Sequence, residues 1–238
     1  MIMTTLNNLD IGALNSKFSE GEPKLILEYS ILNLFKNKIA YVCSFGTESA
    51  IILHLISQIN KDIPIILLNT HFLFEETVKY KNELLELLGL RNCHEVFPDD
   101  KVLNKFDRNN DLWKTKVDKC CNLRKVIPLE KSLKGFEAWI SGRKSYHLGD
   151  RQNLKAFEKL NNKVVVNPLF RSTQGFVENY FLLNKLPKHP LEAKGYLSIG
   201  CTNCTIKTKN IKNIRDGRWY DNNKTECGIH LEQKDRDG

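Results

Sequence analysis

The chain has 238 residues, of which 41% are hydrophobic and 27% are charged. This is an ordinary globular composition, and a chain of this length can bury a substantial core. No run of about 18 apolar residues occurs, which excludes a conventional membrane-spanning helix. The first ten residues also lack the basic and apolar regions of a secretory signal, so we expect a cytoplasmic protein.

The charge balance indicates an anionic partner. Thirty-six Lys and Arg against 28 Asp and Glu leave a net charge of +8, which favours the binding of anions. The basic residues are dispersed along the chain, without the stripe of interleaved aromatic residues that is typical of nucleic-acid-binding proteins. We therefore expect a small anionic substrate, no nucleic acid and no membrane, and we leave open whether the chain is a homo-oligomer.

The apolar pattern predicts an α/β fold. Apolar residues at helical spacing predict helices within the first forty residues, after the first strand, and over 73–88, where Gly89 ends the helix. Strands that alternate with such helices indicate a Rossmann-like parallel sheet with helices on both faces. The short apolar runs that predict strands are 39–44, 64–68, 93–97, 137–141 and 163–166.

The periodic pattern is lost from Gly195 onward, where cysteines and basic residues are frequent. We therefore divide the chain into an α/β part, residues 1–194, and a C-terminal segment, residues 195–238, that folds onto it as part of the same domain. The C-terminal segment is expected to carry function rather than core packing.

Residues 44–49, with the sequence SFGTES, join the first strand to the following helix. Backbone N–H groups at a helix N-terminus, together with small hydroxyls and a glycine, form a cradle for an anion. In open α/β sheets, ligands bind beyond the carboxyl ends of the strands, where this loop lies. The alternative is a simple turn in which Thr47 or Ser49 caps the helix. The segment 69–71 (NTH), after the second strand, has the same two interpretations.

Four of the seven cysteines form two close pairs. Cys120 and Cys121 are adjacent, and Cys201 and Cys204 are separated by two residues. Four thiolates suit a tetrahedral zinc ion or a 4Fe–4S cluster. The adjacent pair favours the cluster, because paired zinc ligands usually stand about two to four residues apart. The alternative is that the adjacent cysteines are buried thiols without a ligand.

A further cysteine, Cys227, lies in the segment 226–230, ECGIH. His230 follows it by three residues, and Arg215 and Arg218 precede it. Cationic neighbours of this kind activate a cysteine as a thiolate nucleophile. The alternative is an exposed cysteine without a role.

Two other functional classes fit parts of this pattern. An ATP-dependent enzyme of the PP-loop class would also place a phosphate loop after the first strand, but it predicts a fuller SGGxDS loop than SFGTES. A zinc-bound nucleic-acid module would explain the four thiols and the basic composition, but it leaves Cys227 without a purpose.

Read together, the motifs resemble those of the assimilatory adenylyl-sulfate reductases, the thioredoxin-dependent relatives of phosphoadenylyl-sulfate reductase. The resemblance runs from about Leu25 to His230. It departs from the family pattern at 69–71, at Asn203, and over 143–151, which is about one residue shorter than in relatives. The matching motifs, in order, are SFG at 44–46, CCxxRKVxPL at 120–129, WISGR at 139–143, SIGCxxCT at 198–205, RxGRW at 215–219 and ECGIH at 226–230.

The resemblance implies a fold like that of the adenine nucleotide alpha-hydrolases and the reduction of adenylyl sulfate to sulfite and AMP, with 3′-phosphoadenylyl sulfate as a secondary substrate. It implies a 4Fe–4S cluster on Cys120, Cys121, Cys201 and Cys204, and thioredoxin or glutaredoxin as the reductant. The implied catalytic residues are Cys227, which would carry an S-sulfocysteine, and His230. The implied substrate-binding residues are Ser44, Phe45, Gly46, Thr47, Ser49, Lys125, Arg143, Arg151, Arg215 and Arg218.

Overall fold

The computed structural model describes residues 9–147, 149–208, 210, 213–221 and 224–231. The outer ends of both predicted parts of the chain therefore lie outside the described residues. Among the described residues, no helix combines the length and the apolar character that crossing a membrane requires.

The described part of the chain forms a six-stranded sheet. Its strands are β1 (Ile39–Val42), β2 (Ile65–Leu68), β3 (Cys93–Val96), β4 (Ala138–Ile140), β5 (Phe157–Leu160) and β6 (Lys163–Val166). They lie in the order β3-β2-β1-β4-β6-β5, and every neighbouring pair is parallel except β5 and β6. The predicted α/β class is thus confirmed. β5 was not predicted, because the FEKL sequence of this edge strand lacks a continuous apolar run.

Helices connect the strands and cover both faces of the sheet. They are α1 (Ile11–Lys17), α2 (Pro23–Glu28), α3 (Ser49–Ile59), α4 (Glu75–Leu88), α5 (Asp100–Phe106), α6 (Leu112–Thr115), α7 (Val117–Cys121), α8 (Ile127–Ser132) and α9 (Gln174–Leu183). A π-helical turn, Tyr29–Leu34, continues α2, and another, Asn122–Val126, joins α7 to α8. Gly89 ends α4 in the left-handed conformation with φ 64°, which agrees with the predicted helix end.

The two faces of the sheet pack against different helices, because successive side chains of a strand point to opposite sides. Tyr41 and Ile140 belong to the larger core cluster, which contains buried residues of α1 to α4 and α9. Ala40 and Trp139 belong to a smaller cluster with Leu129 of α8. The near-continuous apolar strands follow from this burial on both faces.

The C-terminal segment lies against the α/β part of the chain, the body, at the carboxyl ends of the strands. Its described residues form no strand and no helix longer than the three-residue turn Thr202–Cys204. The loop before α4 holds this turn, since Leu73 forms a bridge with Cys201. The Thr47 hydroxyl also donates to the Leu197 carbonyl at 3.4 Å, which joins the segment to the loop after β1.

Candidate active site

A cavity of about 220 Å³ opens at the carboxyl ends of β1, β2 and β4. The structure brings most of the predicted site residues into its wall, although they come from distant parts of the chain. The predicted residues that line it are Ser44, Gly46, Thr47, Ser49, Lys125, Arg143, Arg151, Cys201, Arg215, Arg218, Cys227 and His230. Those outside the described lining are Phe45, Cys120, Cys121 and Cys204.

Phe45 belongs to the predicted loop, but its side chain lies in the protein core. It is fully buried and packs in the larger core cluster. Its φ of 48° places it in the left-handed region, which is unfavourable for a bulky residue. Burial of the ring stabilises this conformation, so Phe45 fixes the shape of the loop while its neighbours Ser44 and Gly46 face the cavity.

Neither Thr47 nor Ser49 caps α3 as the alternative interpretation of this loop required. Glu48 holds the N-cap position and makes no side-chain capping hydrogen bond. Its carboxylate instead pairs with Lys144 at 2.6 Å and with His147 at 3.1 Å. Burial would raise the pKa of the Glu48 carboxyl, but the charge of Lys144 and the contact with His147 hold it well below its usual range.

Four buried polar atoms in the cavity wall have no hydrogen-bond partner among the described residues. They are the Nε atoms of Arg143 and Arg218, Nε1 of Trp219 and Nδ1 of His230. Buried polar groups in folded proteins nearly always have a partner. Three of these four atoms are N–H donors on an arginine or a tryptophan, so the cavity is built for a ligand that accepts hydrogen bonds.

The basic residues of the cavity wall lie close to one another. Burial, and then the neighbouring Arg151, lower the pKa of the Arg215 guanidinium to about 10. Burial also opposes the charge of Lys125, but the thiols of Cys201 and Cys227 raise its pKa above the usual value. Such a concentration of positive charge favours an anion in the cavity.

Residues 226–230 close one side of this cavity. His230 stacks on Trp139 with ring centroids 4.8 Å apart, and Ile229 packs against the small cluster around the same tryptophan. Burial, and then the charges of Arg143 and other arginines, hold the pKa of His230 well below its usual range, so its ring is neutral at pH 7. Cys227 is partly buried beside Trp219, Cys201 and Cys204.

Arg151 lines the cavity, but its hydrogen bonds run to the protein. Its Nε and Nη2 atoms donate to the two carboxylate oxygens of Glu226, the Nη2 bond being 3.0 Å long. Its Nη1 atom lies 3.2 Å from Nδ1 of His147. Sequence reasoning assigned no role to Glu226, His147, Lys144 or Glu48. Glu226 and Glu48 could have been found as parts of the ECGIH and SFGTES segments, whereas Lys144 and His147 stand in no recognisable spacing.

The polar segment 69–71 behaves mainly as a turn. The backbone N–H of His71 donates to Oδ1 of Asn69 at 3.1 Å, and the amide of Asn69 donates to Glu95 at 2.8 Å. Thr70 alone of the three lines the cavity. Its hydroxyl lies 3.3 Å from Sγ of Cys201, which connects the end of β2 to the second cysteine pair.

The four paired cysteines lie close together at one end of the site. Each is between 5% and 8% exposed, and none is in a disulfide. Burial, and then the neighbouring thiols of Cys121, Cys201 and Cys204, raise the pKa of Cys120 to about 12. Burial would also raise the pKa of Cys201, but Lys125 lowers it.

This donor set has the chemistry of a four-thiolate site. Within the described ranges, however, no group of three or more His, Cys, Asp or Glu side chains is arranged to hold a metal ion. The identity and burial of the four thiols suit a zinc ion or an iron–sulfur cluster, but their positions define no coordination geometry.

Comparisons with known proteins agree with this architecture. A crystal structure of phosphoadenylyl-sulfate reductase from Candida auris superposes with a TM-score of 0.70 over 82% of this chain and 96% of that one, at 24% identity. Candida glabrata FMN adenylyltransferase superposes with a TM-score of 0.58 over 92% of this chain and 78% of that one, at 15% identity. At these identities the likeness shows the fold, that of the adenine nucleotide alpha-hydrolases.

Sequence comparison gives the family. A protein from Mesorhizobium japonicum named adenosine 5'-phosphosulfate reductase is 38% identical over 92% of this chain and 86% of its own length. A protein of the same name from Bacillus mycoides is 36% identical over 84% and 87%. The profile of the phosphoadenosine phosphosulfate reductase domain matches residues 38–207, more than half of the chain. The chain therefore belongs to the phosphoadenosine phosphosulfate reductase family, a family of sulfonucleotide-reducing enzymes.

Proposed function

We propose that this protein reduces adenylyl sulfate to sulfite and AMP, with Cys227 as the nucleophile. The observation that carries the proposal is the meeting of a free thiol with partnerless, positively charged donors in one cavity. A sulfonucleotide offers anionic oxygens to those donors and an electrophilic sulfur to the thiol. The names of the relatives from Mesorhizobium japonicum and Bacillus mycoides support the same substrate.

The loop after β1 would hold the phosphosulfate end of the nucleotide. Ser44, Gly46, Thr47 and Ser49 face the cavity at the N-terminus of α3, an eleven-residue helix. The partial positive charge of a helix N-terminus favours an anion there. Lys125, Arg143, Arg215 and Arg218 would bind the sulfate oxygens through charge-assisted hydrogen bonds.

The first chemical step is an in-line attack by the Cys227 thiolate on the sulfate sulfur. A sulfur–sulfur bond forms, and the bond between that sulfur and the bridging phosphate oxygen breaks. AMP leaves with the electron pair, and S-sulfocysteine remains on the enzyme. The cationic side chains lower the barrier because they offset the negative charge that a thiolate meets as it approaches a sulfonyl centre.

The second step needs an external dithiol, for which we propose thioredoxin or glutaredoxin in the cytoplasm. One thiolate of the dithiol attacks Sγ of Cys227, and sulfite leaves with the electron pair of the broken sulfur–sulfur bond. The second thiol of the reductant then resolves the mixed disulfide. Cys227 is regenerated, and the two electrons that reduce sulfate to sulfite come from the dithiol.

We propose that Cys120, Cys121, Cys201 and Cys204 hold a 4Fe–4S cluster. When bound, the cluster supplies structural and electrostatic support to the site rather than electrons for the reaction. Lys125 would bridge the two regions, because it lines the cavity and its pKa is raised by the charges of Cys201, Cys227 and Cys121. The quartet also favours adenylyl sulfate as the main substrate, with the 3′-phosphorylated form as a secondary one.

Iron and sulfide analysis tests the cluster apart from activity. We expect about four irons and four inorganic sulfides per chain, by analogy with Cys-ligated clusters, in protein purified without oxygen. Cys121→Ser should lose them, while Cys93→Ser, a partly exposed thiol on β3, should keep them. Zinc in place of iron, or full iron in Cys121→Ser, contradicts the assignment.

Trapping of the intermediate tests the reaction. We expect the enzyme, incubated with sulfur-labelled adenylyl sulfate and no reductant, to carry the label on the peptide that contains Cys227. Addition of thioredoxin should release the label as sulfite. Protein that binds the nucleotide and keeps its cluster but stays unlabelled would exclude this mechanism.

A further inference from the structure

Arg151 differs from Arg143 and Arg218, two other arginines of the cavity, in how its guanidinium is engaged. All three nitrogens of the Arg151 guanidinium are engaged, Nε and Nη2 by Glu226 and Nη1 by His147. The Nε atoms of Arg143 and Arg218 are buried and have no partner among the described residues. Arg151 therefore uses every nitrogen of its guanidinium in a contact with the protein, while Arg143 and Arg218 each keep a buried Nε–H for a ligand.

Glu226 is engaged from two sides. Besides the two bonds from Arg151, it forms an ion pair with Arg215 at 3.4 Å. Arg215 also donates to the backbone carbonyl of Thr225 at 2.6 Å. Glu226 and Arg151 are each 11% exposed at the side chain. These contacts fasten the chain at the residue immediately before Cys227.

His147 connects Arg151 to Glu48 in the loop 44–49, the proposed phosphate loop. The contact with the Arg151 guanidinium needs a lone pair on Nδ1, so the proton of the neutral ring lies on Nε2. The Nε2 atom then donates to the Glu48 carboxylate at 3.1 Å. Glu48 is in turn held by Lys144 at 2.6 Å. A continuous set of contacts thus joins the N-terminus of α3 to the segment that carries the nucleophile.

We propose that Arg151 is a positioning residue rather than a ligand of the sulfate. It docks the catalytic tail, residues 225–231, through Glu226. This proposal rests on the proposed function and replaces the substrate-binding role that the family resemblance implied for Arg151. The Arg151–Glu226 pair holds Cys227 over the cavity. The sulfate is left to Lys125, Arg143 and Arg218, together with Arg215, whose contacts with Glu226 and Thr225 are made by Nη2.

Charge repulsion makes it unfavourable for Arg151 to bind both Glu226 and the sulfate. A sulfate oxygen that took the Nε and Nη2 donors facing Glu226 would displace a carboxylate that already accepts both of these hydrogen bonds. The displaced carboxylate of Glu226 would then stay beside the substrate, because Glu226 adjoins Cys227 in the chain, and like charges at close range repel. Among the described residues, Arg215 alone would then remain as the charged partner of Glu226.

A double-mutant cycle tests the docking contact. We expect Arg151→Gln and Glu226→Gln each to slow single-turnover formation of S-sulfocysteine at saturating adenylyl sulfate by about 30-fold or more. The double variant should be no slower than the slower single variant, since both changes break the same contact. Losses that multiply in the double variant would overturn the proposal.

Equilibrium binding in a Cys227→Ser background separates tail docking from sulfate binding. We expect adenylyl sulfate to bind Cys227→Ser/Arg151→Gln within about twofold of Cys227→Ser. Cys227→Ser/Arg218→Gln, the matched change at an arginine with a free donor, should bind at least about tenfold more weakly, as expected for loss of a charged hydrogen bond. Equal weakening by the two substitutions would show that Arg151 is a sulfate ligand.

Hydrogen–deuterium exchange without substrate keeps this test independent of the proposed reaction. Arg151→Gln and Glu226→Gln should both speed amide exchange over residues 225–231 and leave exchange in β1 and β4 unchanged. Unaltered protection of 225–231 in both variants would refute docking even in an active enzyme. Failure of the wild type to form S-sulfocysteine, with this exchange pattern intact, would instead remove the proposed function alone.

Discussion

The α/β body and the C-terminal segment are stabilised in different ways. In the body, side chains on both faces of the sheet, such as Tyr41 and Trp139, are almost completely buried in apolar clusters. The described part of the segment after residue 195 contributes few apolar residues and is fastened by ion pairs and single hydrogen bonds, such as those of Glu226. Apolar burial dominates folding free energy, so the body provides most of the stability.

The segment provides most of the reactive groups. Cys227, Arg215, Arg218 and His230 come from it, and the body contributes the floor of the cavity and its phosphate loop. Regions with few buried apolar contacts open at low free-energy cost, which suits the proposed nucleophile, since it would have to meet both a substrate and an external thiol. Substitutions in the two regions should therefore affect different measurements.

The largest effect is expected at the nucleophile. Cys227→Ser should lower sulfite release by about 10⁴-fold or more, because a serine hydroxyl is a far weaker nucleophile at neutral pH. The unfolding temperature and iron content should stay at wild-type values, since Cys227 is only partly buried. Turnover near the wild-type rate would mean that another group attacks the substrate.

In the body, the largest stability effect is expected at the buried pair of Arg124 and Asp107. The two side chains lie 2.7 Å apart and are 1% and 0% exposed. Arg124→Met leaves the Asp107 carboxylate buried without its partner and should lower the free energy of unfolding by about 3–5 kcal/mol.

Lys188→Met is the matched control for this pair, because Lys188 pairs with Glu192 at 2.7 Å but is 58% exposed. Denaturant unfolding of this variant should change by less than about 1 kcal/mol. Similar losses in Arg124→Met and Lys188→Met would contradict the distinction between buried and exposed pairs.

Acid sensitivity of the body is expected at His189. Its ring is 1% exposed and bonded to Thr77 and to the N–H of Leu191, and burial lowers its pKa from 6.5 to about 4. Because the unfolded chain takes up this proton first, stability falls as the pH drops from 6.5 towards 4. The pKa difference corresponds to a loss of up to about 3 kcal/mol.

Unfolding measurements between pH 7 and pH 4 isolate this group. His147 and His230 also have lowered pKa values and add to the acid sensitivity of the wild type. The difference between the wild type and His189→Gln removes their contribution. A difference that does not change with pH would show that His189 has the same pKa in the folded and unfolded states.

The smallest effects come from two glycines with the same conformation in the two regions. Gly228 in the tail has φ 89° and Gly135 before β4 has φ 87°. A Cβ would meet nothing closer than 3.6 Å at Gly228 and nothing within 4 Å at Gly135. Alanine at either position is therefore opposed by backbone strain alone, worth about 1 kcal/mol.

The location of this strain should decide which measurement changes. Gly228→Ala should lower single-turnover S-sulfocysteine formation by about fivefold and leave the unfolding temperature unchanged. Gly135→Ala should lower the free energy of unfolding by about 1 kcal/mol and leave the rate unchanged. The same result from both variants would mean that the tail and the body unfold as one unit.

Local patterns in the sequence were sufficient for the fold class and for twelve residues of the cavity wall. Apolar runs predicted five of the six strands, and the loop at 44–49, the cysteine pairs and the ECGIH motif were recognised before their contacts were known. Such signals can be read from the chain because strand and helix periodicity, and the short spacing within a motif, depend on near neighbours.

Contacts between distant residues could not be read in this way. Arg151 meets Glu226 across 75 positions, and Glu48 meets His147 across 99. Which arginine faces the ligand and which is already paired depends on how loops converge at the sheet edge. Local periodicity carries no information about that convergence, so the free donors of Arg143 and Arg218 and the engaged guanidinium of Arg151 could be distinguished only in the folded chain.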